Sequence, residues 1–238
     1  MQLKDKVIIV TGANRGIGKA LVQAALKHGA KKIYATARKT EELPNFGDAR
    51  VVPLKLDITD RAQVKKVVDQ VTDVQVLLNN AGSLAFASVL EGPMEMVIRD
   101  MEVNYFGTLN VTRAIAPLIA TNGGGAIASI SSMVGLASMA GIGGYSASKA
   151  ALFSAIQAMR KELKSKNIEV YGIFPGAIDT DMARPMEMDK TSPDIVAENV
   201  LNAIENGQED IFPDPMSTQL SQVWATDPKA LERTFASF

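Results

Sequence analysis

The chain has 238 residues, of which 47% are hydrophobic and 21% are charged, as is usual for a soluble globular protein. Its 25 basic and 26 acidic residues nearly cancel and form no basic block, which argues against nucleic acid as a partner. The absence of cysteine excludes a disulfide framework, a thiol nucleophile and thiolate metal sites, and it fits a cytoplasmic protein. The length and the absence of a linker predict one domain over residues 1–238.

Neither a signal peptide nor a membrane span is expected. The residues Met1–Lys6 are charged and lead directly into an apolar run, unlike a signal peptide. The segment Ala114–Ser148 contains no charged residue, but glycines and serines interrupt it, so an apolar helix of about 20 residues does not fit. We therefore expect a buried strand between glycine-rich turns and no membrane partner.

Short apolar runs rich in β-branched residues alternate along the chain with helical patterns. The predicted strands are Lys6–Val10, Lys32–Thr36, Val51–Leu56, Val76–Leu78, Ala126–Ile130 and Val170–Phe174. The predicted helices are Gly16–His28, Arg61–Val71, Met94–Ala120, Ala147–Lys166 and Pro193–Asn206. Runs that are apolar on both faces suit a parallel sheet covered on both sides. The pattern predicts an α/β fold, a single-domain Rossmann-like doubly wound parallel sheet of about seven strands flanked by helices.

The last part of the chain follows a different pattern. Asp210–Pro215 can form only a short edge strand, because proline cannot donate to a strand ladder. Ser217–Ala225 and Pro228–Ala236 have the pattern of two short helices. The sequence assigns no role to Trp224 or to the segment 212–238 as a whole.

A glycine-rich turn lies between the first predicted strand and the first predicted helix. It reads Thr11-Gly-Ala-Asn-Arg-Gly-Ile-Gly18. Glycines let the backbone approach a ligand closely, and the N–H groups at a helix N-terminus bind phosphate. The turn therefore predicts a site for the pyrophosphate of a dinucleotide.

A tyrosine and a lysine stand four residues apart in Tyr145-Ser-Ala-Ser-Lys149. On a helix this spacing places both side chains on one face. A nearby ammonium favours the phenolate, so we expect the pKa of Tyr145 to lie below the usual value of about 10. Such a phenol is an acid–base group at neutral pH, and beside a dinucleotide site it predicts a hydride-transfer enzyme.

These motifs resemble those of the single-domain branch of the short-chain dehydrogenase/reductase family over nearly everything from Lys6 to Thr180. The matching features are the glycine turn, Asn79-Asn-Ala-Gly82 after the fourth strand, Asn104 in the long predicted helix Met94–Ala120, Ser132 thirteen residues before Tyr145, and Pro175-Gly176 followed by Thr180.

The resemblance implies a catalytic role for four residues. Tyr145 would donate a proton to a carbonyl oxygen as hydride arrives, or remove it in the reverse direction. Lys149 would lower the pKa of Tyr145 and hold the nicotinamide ribose hydroxyls. Ser132 would hydrogen-bond the substrate oxygen, and the neighbouring Ser131 lacks the family spacing. Asn104 would hold a water that links Lys149 to solvent.

The resemblance also implies a set of cofactor-binding residues. They are Gly12, Asn14, Arg15, Gly16, Ile17, Gly18, Arg38, Asp57, Ile58, Asn80, Ala81, Gly82, Tyr145, Lys149, Pro175, Gly176, Ile178 and Thr180. Asp57 would contact the adenine amino group, with a helix cap as the structural alternative. For Asn80 the alternative is a structural bridge between the backbones of neighbouring strands.

The end of the second strand indicates which cofactor is used. NAD enzymes of this fold usually carry an acidic residue there for the ribose 2′-hydroxyl, but this chain has Ala37 followed by Arg38. An arginine offers a planar fork to a 2′-phosphate, and Arg15 in the glycine turn adds a second cation. The sequence therefore predicts that NADP(H) is preferred over NAD(H).

Together the motifs predict an NADP(H)-dependent carbonyl reductase or alcohol dehydrogenase that interconverts a ketone or aldehyde and an alcohol. Its partners would be a small-molecule substrate and further copies of itself, as a dimer or homotetramer, with no metal. One alternative is a 3-oxoacyl thioester reductase of fatty-acid or polyketide type, although the Thr-Gly…Val-Asp-Gly-Gly ending of that group is missing. Another is a non-catalytic cofactor-sensing homologue, against which the complete set of four catalytic residues argues.

Two further features leave alternatives open. His28, the only histidine, ends a helix, where contact with the helix C-terminus is more ordinary than catalysis. Five methionines flank the motif-bearing segments and indicate either core filling or an apolar, adaptable substrate pocket. They are Met133, Met139, Met182, Met186 and Met188.

Overall fold

The structure, a computed structural model, describes residues 1–237, and their strands form one parallel seven-stranded sheet in the order β3-β2-β1-β4-β5-β6-β7. The strands are β1 Val7–Val10, β2 Lys32–Ala37, β3 Val51–Lys55, β4 Val76–Asn79, β5 Gly125–Ile130, β6 Ile168–Ile173 and β7 Asp210–Ile211. The strand order reverses between β1 and β4, which is where ligands bind in open sheets of this kind. The predicted doubly wound α/β fold is confirmed, with β7 shorter than the predicted edge strand.

Eight α-helices connect the strands or follow them within the described chain. They are α1 Gly16–Lys27, α2 Arg61–Val68, α3 Met94–Asp100, α4 Thr108–Thr121, α5 Gly143–Leu163, α6 Pro193–Glu205, α7 Pro215–Thr226 and α8 Pro228–Phe235. A π-helical segment, Met101–Gly107, joins α3 to α4, so the single predicted helix Met94–Ala120 contains three different stretches.

Helix α5 begins four residues before the predicted start at Ala147. Its first residues, Gly143 and Gly144, are poor helix formers and hid this start from pattern analysis. Packing requires them, because a Cβ on Gly143 would lie 2.1 Å from Cγ2 of Val89 and one on Gly144 would lie 3.1 Å from Cα of Val97. The two glycines thus let the first turn of α5 pack closely on α3 and the loop before it.

Two apolar layers cover the sheet, because successive side chains of a strand point to opposite faces. Ile8 of β1 packs with Leu21 of α1 and Val200 of α6 on one face. The next residue, Ile9, packs with residues of α2, α4 and α5 such as Ile115 and Ile156 on the other. All six side chains are at most 1% exposed, so the alternation of strands and helices in the sequence corresponds to a dry interior.

A third apolar cluster joins the C-terminal helices to the rest of the fold. Leu231 of α8 and Phe174 are fully buried in it, and Trp224 of α7 packs edge-on against Phe153 with 6.1 Å between ring centroids. Trp224 is therefore a packing residue. No helix within residues 1–237 is both long enough and apolar enough to cross a bilayer.

His28 lies at the C-terminus of α1, the end opposite the glycine turn, and joins this helix to α6. Its backbone N–H donates to the carbonyl of Ala24, and its ring nitrogens lie 3.1 Å from carboxylate oxygens of Glu198 and Glu205. The position at the helix C-terminus agrees with a structural role for this residue.

Candidate active site

A cavity of about 850 Å³ opens at the carboxyl ends of the strands, where the chain reverses its winding. Of the residues that the sequence assigns to the site, all except Gly18 and Asn104 line this cavity. Residues separated by more than 160 positions, such as Gly12 and Thr180, thus meet in one place. The cavity lies in the upper part of the range for ligand sites, which is about 300–1,000 Å³.

The glycine turn brings the N-terminus of α1 to the floor of the cavity. Gly12 and Gly16 have positive φ angles of +66° and +52°, which glycine adopts without strain. A Cβ on Gly18 would lie 2.1 Å from the carbonyl oxygen of Gly12, so only glycine lets the helix approach the turn this closely. Arg15 occupies the N-cap without a side-chain hydrogen bond to the first turn, which leaves the N–H groups there for a ligand.

Asn80 braces the glycine turn against β4. Its Nδ2 donates to the carbonyl oxygens of Thr11 and Gly12 at 2.9 and 3.0 Å. In return the Thr11 hydroxyl oxygen accepts from the N–H groups of Asn80 and Ala81 at 2.9 and 3.0 Å. Asn80 therefore bridges the backbones of neighbouring strands, which is the structural alternative that the sequence left open. Sequence reasoning missed the part of Thr11, whose only signal was its position at the end of the first strand.

Ser132 and Tyr145 meet at the opposite end of the cavity. Ser132 begins a short 3₁₀ helix, Met133–Gly135, where its hydroxyl oxygen accepts from the N–H of Val134 at 3.4 Å. Tyr145 lies in the first turn of α5, and its phenol is hydrogen-bonded to Ser132. Burial raises the pKa of Tyr145 to about 12, although the Ser132 hydrogen bond acts in the opposite direction. The predicted lowering of this pKa is therefore wrong for the protein without ligand.

The position of Lys149 explains why it does not lower the pKa of Tyr145. Its Nζ lies 5.5 Å from the centroid of the Tyr145 ring and donates to the carbonyl oxygen of Ile130 at 2.7 Å. The ammonium is thus held by the end of β5 rather than paired with the phenol oxygen. Burial lowers the pKa of Lys149 to about 8, so this ammonium loses its proton far more easily than an exposed lysine does.

Ser131 and Asn104 serve as supports around Lys149. The Ser131 hydroxyl donates to the Lys149 carbonyl at 3.1 Å, which leaves Ser132 as the serine hydrogen-bonded to Tyr145. Asn104 is buried in the π-helical segment, with Oδ1 accepting from the Ser83 N–H and Nδ2 donating to the Ser83 carbonyl, both at 2.8 Å. Nδ2 also donates to the Ser148 hydroxyl at 2.9 Å. Asn104 therefore joins the loop after β4 to α5.

Asp100 is a buried carboxylate near this centre that sequence reasoning missed. It is 1% exposed and accepts from the Ser83 hydroxyl at 2.7 Å and from the Ala85 N–H at 3.1 Å. Its negative charge raises the pKa of both Tyr145 and Lys149. The available signal was an acidic residue one helical turn before Asn104.

We expect Asp100→Asn to move the pH profile of alcohol oxidation toward lower pH. In the role that the sequence predicts for Tyr145, alcohol oxidation needs its phenolate, and removal of the carboxylate charge lowers the pKa at which that phenolate forms. The rise of kcat/KM with pH should therefore begin at a lower pH than in the wild type. Ser83→Ala is the matched control, because it removes a hydrogen bond to Asp100 and keeps the charge. An equal shift in both variants would show that Asp100 acts through loop structure alone.

The basic residues at the other end of the cavity differ in their surroundings. Arg38 follows β2 directly after the buried Ala37, is exposed and lines the cavity. Arg15 also lines the cavity, but its Nη1 lies 3.2 Å from Oδ2 of Asp181, which also pairs with Arg184. Arg15 therefore stands at the cavity as a second cation, but Asp181 already partners it, so we expect it to contribute less to phosphate binding than Arg38.

Asp57 and Ile58 line the cavity where β3 ends. Asp57 Oδ1 accepts from the N–H and hydroxyl groups of Thr59 at 3.0 and 2.7 Å. The N-cap of α2 is Asp60, not Asp57, so the structural alternative proposed for Asp57 is wrong. Ile58 is buried against the π-helical segment, where a Cβ on Gly107 would lie 2.8 Å from its Cγ1.

The cavity fits a nicotinamide dinucleotide. One end offers the uncapped N-terminus of α1 and the exposed Arg38, and the other offers Ser132, Tyr145 and Lys149. Between these ends Gly82 places no side chain in the cavity. A Cβ at this position would lie 3.0 Å from Asn104 Oδ1 and 3.7 Å from Lys149 Nζ. An extended ligand can therefore lie across the strand ends and reach the lysine.

The wall beside Tyr145 is apolar and contains the C-terminal helices. The methionines that line the cavity are Met133, Met139, Met182, Met186, Met188 and Met216. Tyr145 belongs to one apolar cluster with Met186, Leu220 of α7 and Phe235 of α8. This arrangement favours the pocket interpretation of the methionines and gives the described part of segment 212–238, up to residue 237, a role in closing the cavity.

A buried aspartate attaches these helices to the segment after β6. Asp214 is 2% exposed, and its Oδ2 accepts from the Gly176 N–H at 2.9 Å. The same carboxylate accepts from the N–H and hydroxyl groups of Ser217 at 2.9 and 2.8 Å and so caps α7. Asp214 therefore fixes both the start of α7 and the turn at Pro175 and Gly176.

Comparisons with known proteins agree with this geometry. The family model described as short chain dehydrogenase matches residues 6–191. The chain is 32% identical to the 3-oxoacyl-[acyl-carrier-protein] reductase FabG of Thermotoga maritima, over 87% of this chain and 86% of the relative. It is 29% identical to the NADP-dependent 3-hydroxy acid dehydrogenase of Schizosaccharomyces pombe, over 76% and 75%.

A solved structure extends the similarity over nearly the full length. The short chain dehydrogenase from Burkholderia cenocepacia J2315, in complex with NADP, has a TM-score of 0.94 and 38% sequence identity, and the match covers 99% of both chains. The predicted resemblance is thereby confirmed. The protein belongs to the short-chain dehydrogenase/reductase family of oxidoreductases.

Proposed function

We propose that the protein is an NADP(H)-dependent carbonyl reductase or alcohol dehydrogenase, which interconverts a ketone or aldehyde and an alcohol. The observation that carries this proposal is the meeting of Ser132, Tyr145 and Lys149 in a cavity whose far end fits a dinucleotide. The family membership supports the oxidoreductase class.

Tyr145, Ser132 and Lys149 have separate roles in this reaction. A bound reduced nicotinamide supplies the hydride. Tyr145, with a pKa of about 12, is protonated at neutral pH and donates its proton to the carbonyl oxygen. The Ser132 hydroxyl stabilises the charge that develops on that oxygen. Lys149 holds a positive charge beside the reacting groups and offers donors to the nicotinamide ribose.

The preference for NADP(H) rests on the end of β2. Ala37 offers no carboxylate to a ribose 2′-hydroxyl, and the exposed Arg38 lines the cavity directly after it. Two similar proteins support the same choice: the Burkholderia cenocepacia protein is solved with NADP, and the Schizosaccharomyces pombe enzyme is NADP-dependent.

A second candidate is a 3-oxoacyl thioester reductase, which the similarity to the Thermotoga maritima reductase favours. NADPH oxidation should be measured with a panel of ketones and aldehydes, with 3-oxoacyl thioesters, and with no substrate. We expect turnover with simple ketones or aldehydes. Turnover with thioesters alone would favour the second candidate. Cofactor binding without any turnover would instead indicate the non-catalytic, cofactor-sensing homologue.

We expect activity to survive exhaustive dialysis against a chelator. Tyr145 and Ser132 act on the carbonyl oxygen where metal-dependent dehydrogenases use zinc. Within residues 1–237 no group of three or more histidine, aspartate or glutamate side chains is placed to hold a metal ion. The test is the kcat of the dialysed enzyme against an undialysed control, with thermal stability measured in parallel. A loss of kcat that a divalent ion restores, at unchanged stability, would contradict the expectation.

We also propose that the chain assembles as a homo-oligomer, either a dimer or a homotetramer. Support comes from exposed apolar side chains on α3 and the π-helical segment, where Met94 is 62%, Ile98 49% and Phe106 54% exposed. Sedimentation equilibrium at micromolar concentration measures the state directly. A monomer under those conditions would contradict this part of the proposal.

A further inference from the structure

The charged side chains of the cavity are concentrated at its cofactor end. Arg15 follows β1, Arg38 follows β2 and Asp57 follows β3. Two more that line the cavity, Arg99 of α3 and Glu102 of the π-helical segment, belong to the stretch that packs against both Ile58 and the first turn of α5. Lys149 is the buried cation beside Tyr145, and its Nζ is held by the carbonyl oxygen of Ile130 at the end of β5.

The wall beside Tyr145 has a different composition, and we call it the apolar chamber. It is lined by Met133, Met139, Met186, Leu220 and Phe235. These residues and Tyr145 belong to a single apolar cluster.

The polar side chains that α7 and α8 add to the cavity wall, Gln219 and Thr234, carry no charge. The Thr234 hydroxyl donates to the carbonyl of Ala230 at 3.0 Å. Amide and hydroxyl groups hydrogen-bond a neutral ligand but do not neutralise an ion. The C-terminal helices therefore supply the chamber with no counter-charge.

Asp181, the acidic residue beside the chamber, has its own charged partners. Asp181 lines the cavity next to Met182 and is already paired with Arg15 and Arg184. Arg184 is exposed and does not line the cavity, so the segment after β6 brings no cation to the chamber. A carboxylate buried among Met186, Leu220 and Phe235, away from Lys149, would lose its hydration without gaining a charged partner, which is strongly unfavourable.

We propose that the substrate is an uncharged carbonyl compound with an apolar body, and that the apolar chamber rejects carbonyl compounds that carry a carboxylate. This inference rests on the proposed function, because it names the substrate class of that site. Flexible methionine side chains adapt to irregular apolar shapes, so both ring and chain compounds belong to the class. The Schizosaccharomyces pombe relative is named for hydroxy acids, which are anions at neutral pH, so the proposal separates this chain from it.

A matched substrate pair tests the proposal. Methyl 7-oxooctanoate and 7-oxooctanoate present the same ketone and chain, and they differ only in the charge at the far end. We expect kcat/KM with NADPH to be about 100-fold higher for the methyl ester in the wild type. A ratio below about tenfold, or a preference for the acid, would overturn the proposal.

A variant pair ties the preference to the chamber. Leu220→Lys places a cation on helix α7. It should lower the ester-to-acid ratio of kcat/KM by about tenfold, mainly by raising kcat/KM for the acid. Leu220→Met keeps the volume and polarity and should keep the wild-type ratio. If the lysine variant folds poorly, Met186→Lys places the charge in the loop after β6 instead. A ratio that neither lysine variant changes would overturn the assignment to the chamber.

Failure of the proposed function is distinguishable from failure of this inference. If no carbonyl compound supports NADPH oxidation, the proposed function fails, and equilibrium binding of the same pair to the wild type still decides the inference. Tighter binding of the ester, weakened by Leu220→Lys, would support it. Equal binding of ester and acid would overturn it.

Discussion

Replacement of Tyr145 by phenylalanine is expected to lower kcat by about 10²–10⁴-fold while NADPH still binds. The change removes only the phenol oxygen, which is the proton donor and is hydrogen-bonded to Ser132. The ring stays in the apolar cluster, so the shape of the chamber is kept. Steady-state rates and a fluorescence titration with NADPH measure the two quantities separately.

Tyr34→Phe is the matched control for this experiment. The Tyr34 hydroxyl donates to Asp73 at 2.7 Å in a network outside the cavity, so its loss should leave the rate unchanged. A Tyr145→Phe enzyme that keeps more than about a tenth of the wild-type rate would contradict the role of Tyr145 as proton donor. A loss of NADPH binding equal to the loss of rate would show that the phenol serves the cofactor instead.

The double substitution Ala37→Asp with Arg38→Leu is expected to reverse the cofactor preference from NADPH to NADH. Arg38 offers charge-assisted hydrogen bonds to a 2′-phosphate, each worth about 1.5–3 kcal/mol, or roughly ten- to a hundredfold in affinity. Because Arg38 is exposed, we expect the lower end of that range. The new aspartate would accept from the 2′-hydroxyl of NADH and repel the phosphate of NADPH.

The measurement is kcat/KM with both cofactors for the wild type, the double variant and two single variants. Arg38→Leu alone should lower kcat/KM with NADPH and leave kcat/KM with NADH nearly unchanged. Arg15→Leu should have the smaller effect of the two, because Asp181 already pairs with Arg15. A wild-type enzyme that uses NADH equally well would contradict the role of Arg38. A larger effect of Arg15→Leu would show that the ion pair with Asp181 opens when the cofactor binds.

Local patterns in the chain were sufficient to predict the sheet, and the resemblance to a known family added the motif residues of the cavity wall. Runs such as Val76–Leu78 are apolar on both faces because they are buried on both faces, so their composition indicates their position. The loops at the carboxyl ends of parallel strands meet at one edge of the sheet, so the motif residues after the strands had to converge. This topology explains why the motif residues that the resemblance indicated lie around one cavity.

Features that depend on long-range packing could not be predicted in this way. The π-helical segment and the early start of α5 arise from contacts between distant elements, such as those that Gly143 and Gly144 make. The raised pKa of Tyr145 comes from burial, and a spacing of four residues carries no information about solvent access. The pairing of Arg15 with Asp181 joins positions 166 residues apart, and no local pattern indicates it.

The contact between Asp214 and Gly176 has a consequence for biosynthesis. The turn after β6 receives its buried acceptor only from a residue that leaves the ribosome after β1–β6 are complete. The ribosome makes the glycine turn, Ser132, Tyr145 and Lys149 before it makes Asp214. At that stage the Gly176 N–H still lacks the carboxylate that accepts from it. The site is therefore complete only after Asp214 has been synthesised, and a truncation that removes Asp214 should leave the turn at Pro175 and Gly176 without this contact.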